Sequence, residues 1–212
     1  MEAVAQPTWR YLRRFPNAFS ASPYGTMLEG IKQQIKMRQI DEQLIRDSQR
    51  GDRVAFARLL HVIYDLIYRF ALKLLGKVED AEDLTQQACI KLAKVIKQFR
   101  FESAFSSWLY KLVYNLSLDW RRKQGRHKLE AIDESSAVAD KAKGEAQVEL
   151  ERVLALVDKM GKGMKETLIL VHGEGCSHKE AAEILGVKES TVSWRLHEIR
   201  KQLQMLEANN ER

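Results

Sequence analysis

The chain has 212 residues, 45% of them hydrophobic, and a formal net charge of +6. That is enough apolar content for one large packed core or two small ones. No run of 18 apolar residues and no signal-peptide hydrophobic region is present, so membrane insertion and export are not expected and a cytoplasmic setting is.

The basic excess is uneven. Residues 1–40 and 41–124 carry about +4 each, residues 125–150 about −2, and the remainder about zero. A modest basic bias suits a polyanionic partner. The two cysteines, Cys89 and Cys176, supply neither a disulfide framework nor a zinc-binding set. Cys89 lies in a helical pattern and reads as a small, semi-buried hydrophobe.

Residues 1–26 hold all three prolines and the string Trp9-Arg10-Tyr11-Leu12-Arg13-Arg14. They read as a disordered basic arm. Residues 27–50 have helical spacing through Leu28, Ile31, Ile35, Leu44 and Ile45, and Gly51-Asp52 breaks it. Residues 53–75 form an amphipathic helix with Phe56, Leu59, Leu60, Ile63, Leu66, Ile67, Phe70 and Leu74, closed by Gly76.

The next helix starts acidic, with Asp80, Glu82 and Asp83 in its first turn, where the helix dipole favours carboxylates. Ala88, Leu92 and Val95/Ile96 form its buried stripe. A short loop bearing Phe99 and Phe101 follows. In the helix after it, Leu109, Leu112, Val113, Leu116 and Trp120 share one face. The opposite face carries Lys111, Tyr114, Asn115, Arg121 and Arg122, with Trp108 at its margin. Cations hold phosphates, aromatic planes stack on exposed bases and amides read base edges, so this face suits a single nucleic-acid strand.

Residues 125–149 change character: Gly125, Ser135-Ser136, Gly144 and many alanines mark a flexible linker. Helical periodicity resumes at Leu150, Val153, Leu154 and Val157. Gly161-Lys162-Gly163 interrupts it and lacks phosphate-loop spacing. Residues 165–171 form a further helix that ends at His172-Gly173-Glu174-Gly175. A helix-turn-helix pattern comes next. Ser177 and Glu180 make a capping box. Ala181, Ala182, Ile184 and Leu185 face inward, Gly186 turns the chain, and Val187 plugs the turn. Val192, Leu196, Ile199 and Leu203 then line the inner face of a helix starting near Ser190. Its opposite face carries Ser190, Trp194, His197 and Lys201, flanked by Ser193, Arg195, Glu198 and Arg200. Such a helix suits a DNA major groove. The expected fold is all-α: two small helical domains, over 27–124 and 150–206, with a tail at 207–212.

No catalytic chemistry emerges. The chain has no HExxH, no GxSxG and no paired-cysteine metal spacing, and its carboxylates scatter along helix faces. His172, Cys176 and His178 lack a fourth ligand. No enzyme activity, metal or cofactor is expected.

Three stretches resemble a known family: VEDAEDLTQQACIKL, FESAFSSWLYKLVYNLSLDWRRK and SHKEAAEILGVKESTVSWRLHEIRKQL. Their order and spacing are similar to the two conserved domains of bacterial extracytoplasmic-function sigma factors of the sigma-70 family. The resemblance implies a subunit that binds core RNA polymerase, through β′ and β, and directs initiation at specific promoters. It implies polymerase contact through Asp80, Glu82, Asp83, Gln86 and Gln87. It implies −10 capture by the loop around Phe101 with Trp108, Lys111, Asn115, Asp119, Arg121 and Arg122, including a flipped base. It implies −35 readout by Ser190, Thr191, Ser193, Trp194, Arg195, His197, Arg200 and Lys201. An anti-sigma factor is a further partner class it admits.

This chain also departs from the family pattern. Gln87 stands where the family usually has Glu. A phosphate on Thr85 would restore negative charge toward polymerase, which would make a kinase a partner. Met160-Gly161 replaces a usual Leu-Pro. Ser193 and Glu198 stand where cations are common, and Trp194 replaces a small residue. The competing expectation is a helix-turn-helix repressor or activator that does not bind polymerase. It leaves the acidic and aromatic block of the first half unexplained.

Overall fold

The computed structural model describes residues 40–130 and 145–210. The expected arm over 1–26, and the expected helix as far as residue 39, lie outside the described residues; the expected helix over 27–50 is not continuous, because Ile40 and Asp41 are non-helical and the Asp41 cap starts the helix only at Glu42. Every element among the described residues is a helix or helical turn. The helices form two compact units. The first holds α1 (Glu42–Arg50), α2 (Arg53–Leu75), α3 (Val78–Val95) and α4 (Phe105–Glu130). The second holds α5 (Glu145–Lys159), α6 (Met164–Leu168), α8 (Glu189–Asn210) and the first turns of α7 (His178–Leu185).

Local chemistry sets the helix ends. The Asp41 carboxylate accepts the Gln43 N–H at 2.9 Å and starts α1. Gly51 ends α1 at φ 94°, a left-handed conformation that side chains with a Cβ disfavour. Asp52 then caps α2, accepting from the Val54 and Ala55 amides at 2.8 and 3.1 Å. α3 starts at Lys77 without a side-chain cap, and Glu79 and Asp80 in its first turn offset the dipole instead.

The first core is built on one stripe of α2. Leu59, Ile63, Ile67, Phe70 and Leu74 are each at most 1% exposed, as expected of the apolar face of a central helix. α1, α3 and α4 all pack on α2, and α3 packs on α4. Ala81, Leu84, Ala88 and Leu92 of α3 and Leu109 and Val113 of α4 close the core. The Tyr110 ring tilts against Phe70 with centroids 4.8 Å apart.

In the second unit α6 packs on both α5 and α8. Leu154, Val157, Leu168, Ile169, Leu170, Val192 and Ile199 are buried there. α6 opens into a π-helical turn over Ile169–Gly173. The predicted capping box forms: Ser177 N–H donates to Glu180 Oε2 at 2.8 Å, and Glu180 N–H donates to Ser177 Oγ at 3.2 Å. Gly186 turns the chain at φ 67°.

The linker boundaries are corrected as well. The predicted linker over 125–149 is helical at both ends, because α4 runs through to Glu130 and α5 already starts at Glu145. Gly125 costs about 1 kcal/mol in a helix interior, and the helix formers Arg126, Lys128, Leu129 and Glu130 let an established helix continue past it.

Two stability predictions follow from this packing. Phe70→Ala should lower the unfolding free energy by about 3–5 kcal/mol, read by urea denaturation. The second concerns His172, half-buried in the π-helical turn. Burial, then the charge of Arg200, then His178, hold its imidazole below the usual histidine range. As pH falls, the unfolded chain therefore takes up this proton before the folded one. The stabilisation is complete above the unfolded pKa of about 6.5 and is lost as acid approaches the folded value. Amides of α6 to α8 should lose hydrogen-exchange protection between pH 7.5 and 5.5, and His172→Gln should flatten that dependence.

Candidate nucleic-acid interface

Three exposed strips lie opposite the buried stripes. On α3, Glu82, Asp83, Gln86 and Gln87 are exposed, and Asp80 is half-buried. They follow one another at helical spacing, opposite Leu84, Ala88 and Leu92. Ile90, 59% exposed, extends this strip by a turn.

Thr85 is not on this strip. It is fully buried, and its hydroxyl donates to the Ala81 carbonyl at 2.6 Å. A kinase cannot reach that oxygen in the packed helix, and a dianionic phosphate buried there would lack the solvation its charge needs. The buried hydroxyl thus contradicts the expected modification at Thr85 and a kinase acting there.

The second strip runs from the α3–α4 loop along α4. Trp108, Lys111, Asn115, Asp119 and Arg122 recur every three or four residues and so share a face. Lys111, Asn115, Asp119 and Arg122 are exposed. Arg122 Nη1 lies 3.4 Å from Asp119 Oδ1, and both side chains are largely in solvent, so the pair contributes little to stability. Trp108 is half-buried at the edge of an aromatic cluster, with centroid distances of 5.5 Å to Phe99 and 5.7 Å to Phe105. Phe101 joins the cluster through Phe99 at 4.7 Å.

Arg121 departs from expectation. Its Nη2 donates to the Leu74 carbonyl at 2.8 Å, so it caps the C-terminal end of α2. Its charge is committed to the fold of the first unit.

The third strip lies on α8. Ser190, Trp194, His197 and Lys201 are exposed opposite the buried Val192, Leu196 and Ile199. Trp194 is 57% exposed, large for an indole. Thr191 is half-buried, and Arg200 is exposed. Ser193 Oγ lies 2.9 Å from His178 Nδ1 and donates to the Glu189 carbonyl at 3.3 Å, which ties α8 to the start of α7.

Arg195 is also corrected. It is half-buried, and its Nη1 donates to the Gly163 carbonyl at 3.4 Å and to Thr167 Oγ1 at 3.3 Å. Gly163 sits at φ 82°, and a Cβ there would lie 2.5 Å from the Arg195 guanidinium. Arg195 thus holds α8 against α6 and points away from the exposed strip. A helical wheel could not separate Arg195 from its neighbours, because Gly163 and Thr167 come close only in the folded unit.

The contacts that α1 makes to the α3–α4 loop were not foreseen from the sequence. Gln49 Nε2 donates to the Ile96 and Phe99 carbonyls at 2.9 and 2.8 Å, and the Arg46 guanidinium lies 4.0 Å above the Phe101 ring centre. No local pattern marks these two residues among the polar positions of an amphipathic helix.

Comparison with known proteins agrees with this architecture. The sigma-70 region 2 family model matches residues 59–127, and the sigma-70 region 4 model matches residues 150–203. SigE of Mycolicibacterium smegmatis is 33% identical over 145 residues, which covers 66% of this chain and 56% of the relative. SigW of Bacillus subtilis is 32% identical over 191 residues, 80% of this chain and all of the relative. SigM of Mycobacterium tuberculosis is 30% identical over 167 residues, 78% of this chain and 84% of the relative. Among solved structures, the sigma factor RpoE bound to the anti-sigma factor NepR from Bartonella quintana superposes with a TM-score of 0.60 at 27% identity, covering 71% of this chain and 95% of RpoE. CnrH, solved with the cytosolic domain of CnrY, gives 0.59 at 21% identity over 80% of this chain and 97% of CnrH, a likeness of fold. With region 2 in the first unit, region 4 in the second and relatives matched along most of their length, the chain belongs to the extracytoplasmic-function sigma factors of the sigma-70 family.

Proposed function

We propose that this sigma factor divides its work among the three exposed strips. The α3 strip, with Glu82, Asp83, Gln86 and Gln87, meets core RNA polymerase through charge and amide contacts. The α3–α4 loop and the α4 strip take the single-stranded −10 element: Lys111 and Arg122 neutralise phosphate, Trp108 offers an aromatic plane, and Asn115 reads a base edge. The α8 strip enters the major groove of the −35 element, with Ser190, Trp194, His197 and Lys201 foremost and Thr191, Ser193 and Arg200 at its margins. Two DNA-binding units on one chain raise each other's effective concentration at a promoter. The protein acts in the cytoplasm, where polymerase and promoter DNA are.

The observation that carries this reading is the separation of burial from chemistry. Each strip is continuous, and each lies opposite a stripe that is almost fully buried. A repressor that does not bind polymerase would leave the α3 and α4 strips without a role. RpoE, a structural neighbour, was solved with an anti-sigma factor, which supports a protein antagonist as a further partner class.

Core polymerase from the source bacterium, reconstituted with this protein, should start transcription at discrete sites. The template is a promoter found by mapping the RNA 5′ ends that appear when the protein is overproduced. Asn115→Ala should lower open-complex formation while polymerase binding persists. Trp194→Ala should weaken −35 duplex binding about tenfold, the scale of one good base contact, with little change in melting temperature. Arg195→Ala should do the reverse first: it should lower the melting temperature of the second unit, because it frees the α6–α8 junction. Failure to bind core polymerase at all would overturn the sigma reading for this chain.

A further inference from the structure

The region 2 family model begins at residue 59, so α1 lies outside the matched span. It also lies outside all three strips. Yet α1 makes the most specific contacts to the α3–α4 loop among the described residues. Gln49 is half-buried, and its side-chain amide bridges two carbonyls, Ile96 at 2.9 Å and Phe99 at 2.8 Å. These carbonyls bracket the 3-10 turn Ile96–Gln98 from which the loop leaves. The Phe99 N–H closes the same turn on Ile96 O at 3.1 Å. The loop's first residues are thereby fixed from two sides.

Phe101, two residues further on, has φ 61°. It is the one residue other than glycine with positive φ among those described. A bulky side chain rarely adopts that conformation, and it persists where surrounding contacts over-determine it. Those contacts are visible. One is the Phe99 ring, 4.7 Å away by centroid. Another is the Arg46 guanidinium, 4.0 Å above the ring, a distance at which a cation is attracted to an aromatic face. Arg46 is itself held by Glu42, which accepts from its Nε at 2.8 Å. Beyond this anchored ring, Arg100, Glu102, Ser103 and Ala104 remain exposed at the loop rim.

We propose that α1 presets the α3–α4 loop for base capture, with Gln49 and Arg46 as positioning residues that hold the loop backbone and the Phe101 ring in the base-accepting arrangement. The proposal rests on the reading of this loop as part of the −10 contact. Its physical basis is preorganisation. A loop that is ordered only when a base arrives charges that ordering against affinity, and a loop already held does not. The discrimination between a base and its absence should therefore depend on Gln49 and Arg46, although both lie outside the three strips.

The test uses the full chain in reconstituted holoenzyme. The probes are fluorescent single strands carrying the non-template −10 sequence of a mapped promoter, each with one nucleotide replaced by an abasic site. In the unmodified protein, one position should weaken binding roughly tenfold or more when its base is removed, the scale of losing a stacked base. Gln49→Glu keeps the shape of the side chain but turns both donations into repulsions. Gln49→Glu and Arg46→Ala should each lower that intact-to-abasic ratio about tenfold, toward one. Arg46→Lys keeps the charge but loses the plane, and should give an intermediate ratio. Melting curves identify variants that simply unfold. A variant that weakens intact and abasic strands equally marks a purely structural role and overturns the proposal, as does an unchanged ratio in both variants. If the unmodified protein has no base-sensitive position, base capture by this loop fails, and the positioning roles fail with it.

Discussion

The first unit depends on one stripe of α2. Leu59, Ile63, Ile67, Phe70 and Leu74 exclude water almost completely, and α1, α3 and α4 are oriented by packing on that helix. Burying such side chains is the main favourable term for a small helical unit. A helix that commits one face to this core has its opposite face free. The strips on α3 and α4 are therefore consequences of where the core lies. Moving a functional residue by one position would rotate it about 100° around its helix, toward or into the core.

Backbone groups at helix ends and turns impose the second constraint. Each helix leaves its last carbonyls without intrahelical partners, and buried ends need donors. Arg121 meets this need at the end of α2 and Gln49 around the 3-10 turn, while Arg195 adds a further donor to the Gly163 carbonyl at the start of α6, which the Thr167 N–H already reaches at 3.1 Å. Three residues that look like nucleic-acid or surface groups thus serve the fold. Arg121 and Arg195 show that a guanidinium with several donors in a fixed plane suits backbone carbonyls as well as it suits phosphate. Which use prevails depends on whether a carbonyl lies within reach.

The two units solve recognition differently. In the second unit, a capping box, a left-handed glycine turn and the link between His178 and Ser193 hold α7 and α8 as a hairpin, so α8 offers a rigid row of side chains. In the first, the functional edge includes a loop whose shape depends on aromatic packing and on α1. A rigid helix suits duplex DNA of regular geometry. A preset loop suits a base that has left its stack.

Much was legible in the sequence because helices advertise themselves. The 3.6-residue period, Gly51, Gly76 and Gly186 at turns, and Ser177 with Glu180 at a cap are local signals, and the elements they predicted are present. The exposed rows on α3, α4 and α8 followed from the same periodicity, and the family followed from motif order. Only the tertiary structure decided which polar residues belong to the fold. Thr85 is one helical step from an acidic strip, yet it packs inside; Arg121 and Arg195 lie beside residues of the exposed strips, yet they bind carbonyls 47 and 32 positions away. Gln49 and Arg46 carry no local mark, and their partners are Phe99, 50 positions on, and Phe101. Periodicity reports the direction in which a side chain leaves its own helix. It contains no information about what another segment, brought close by the packing of hydrophobic stripes, places in that direction.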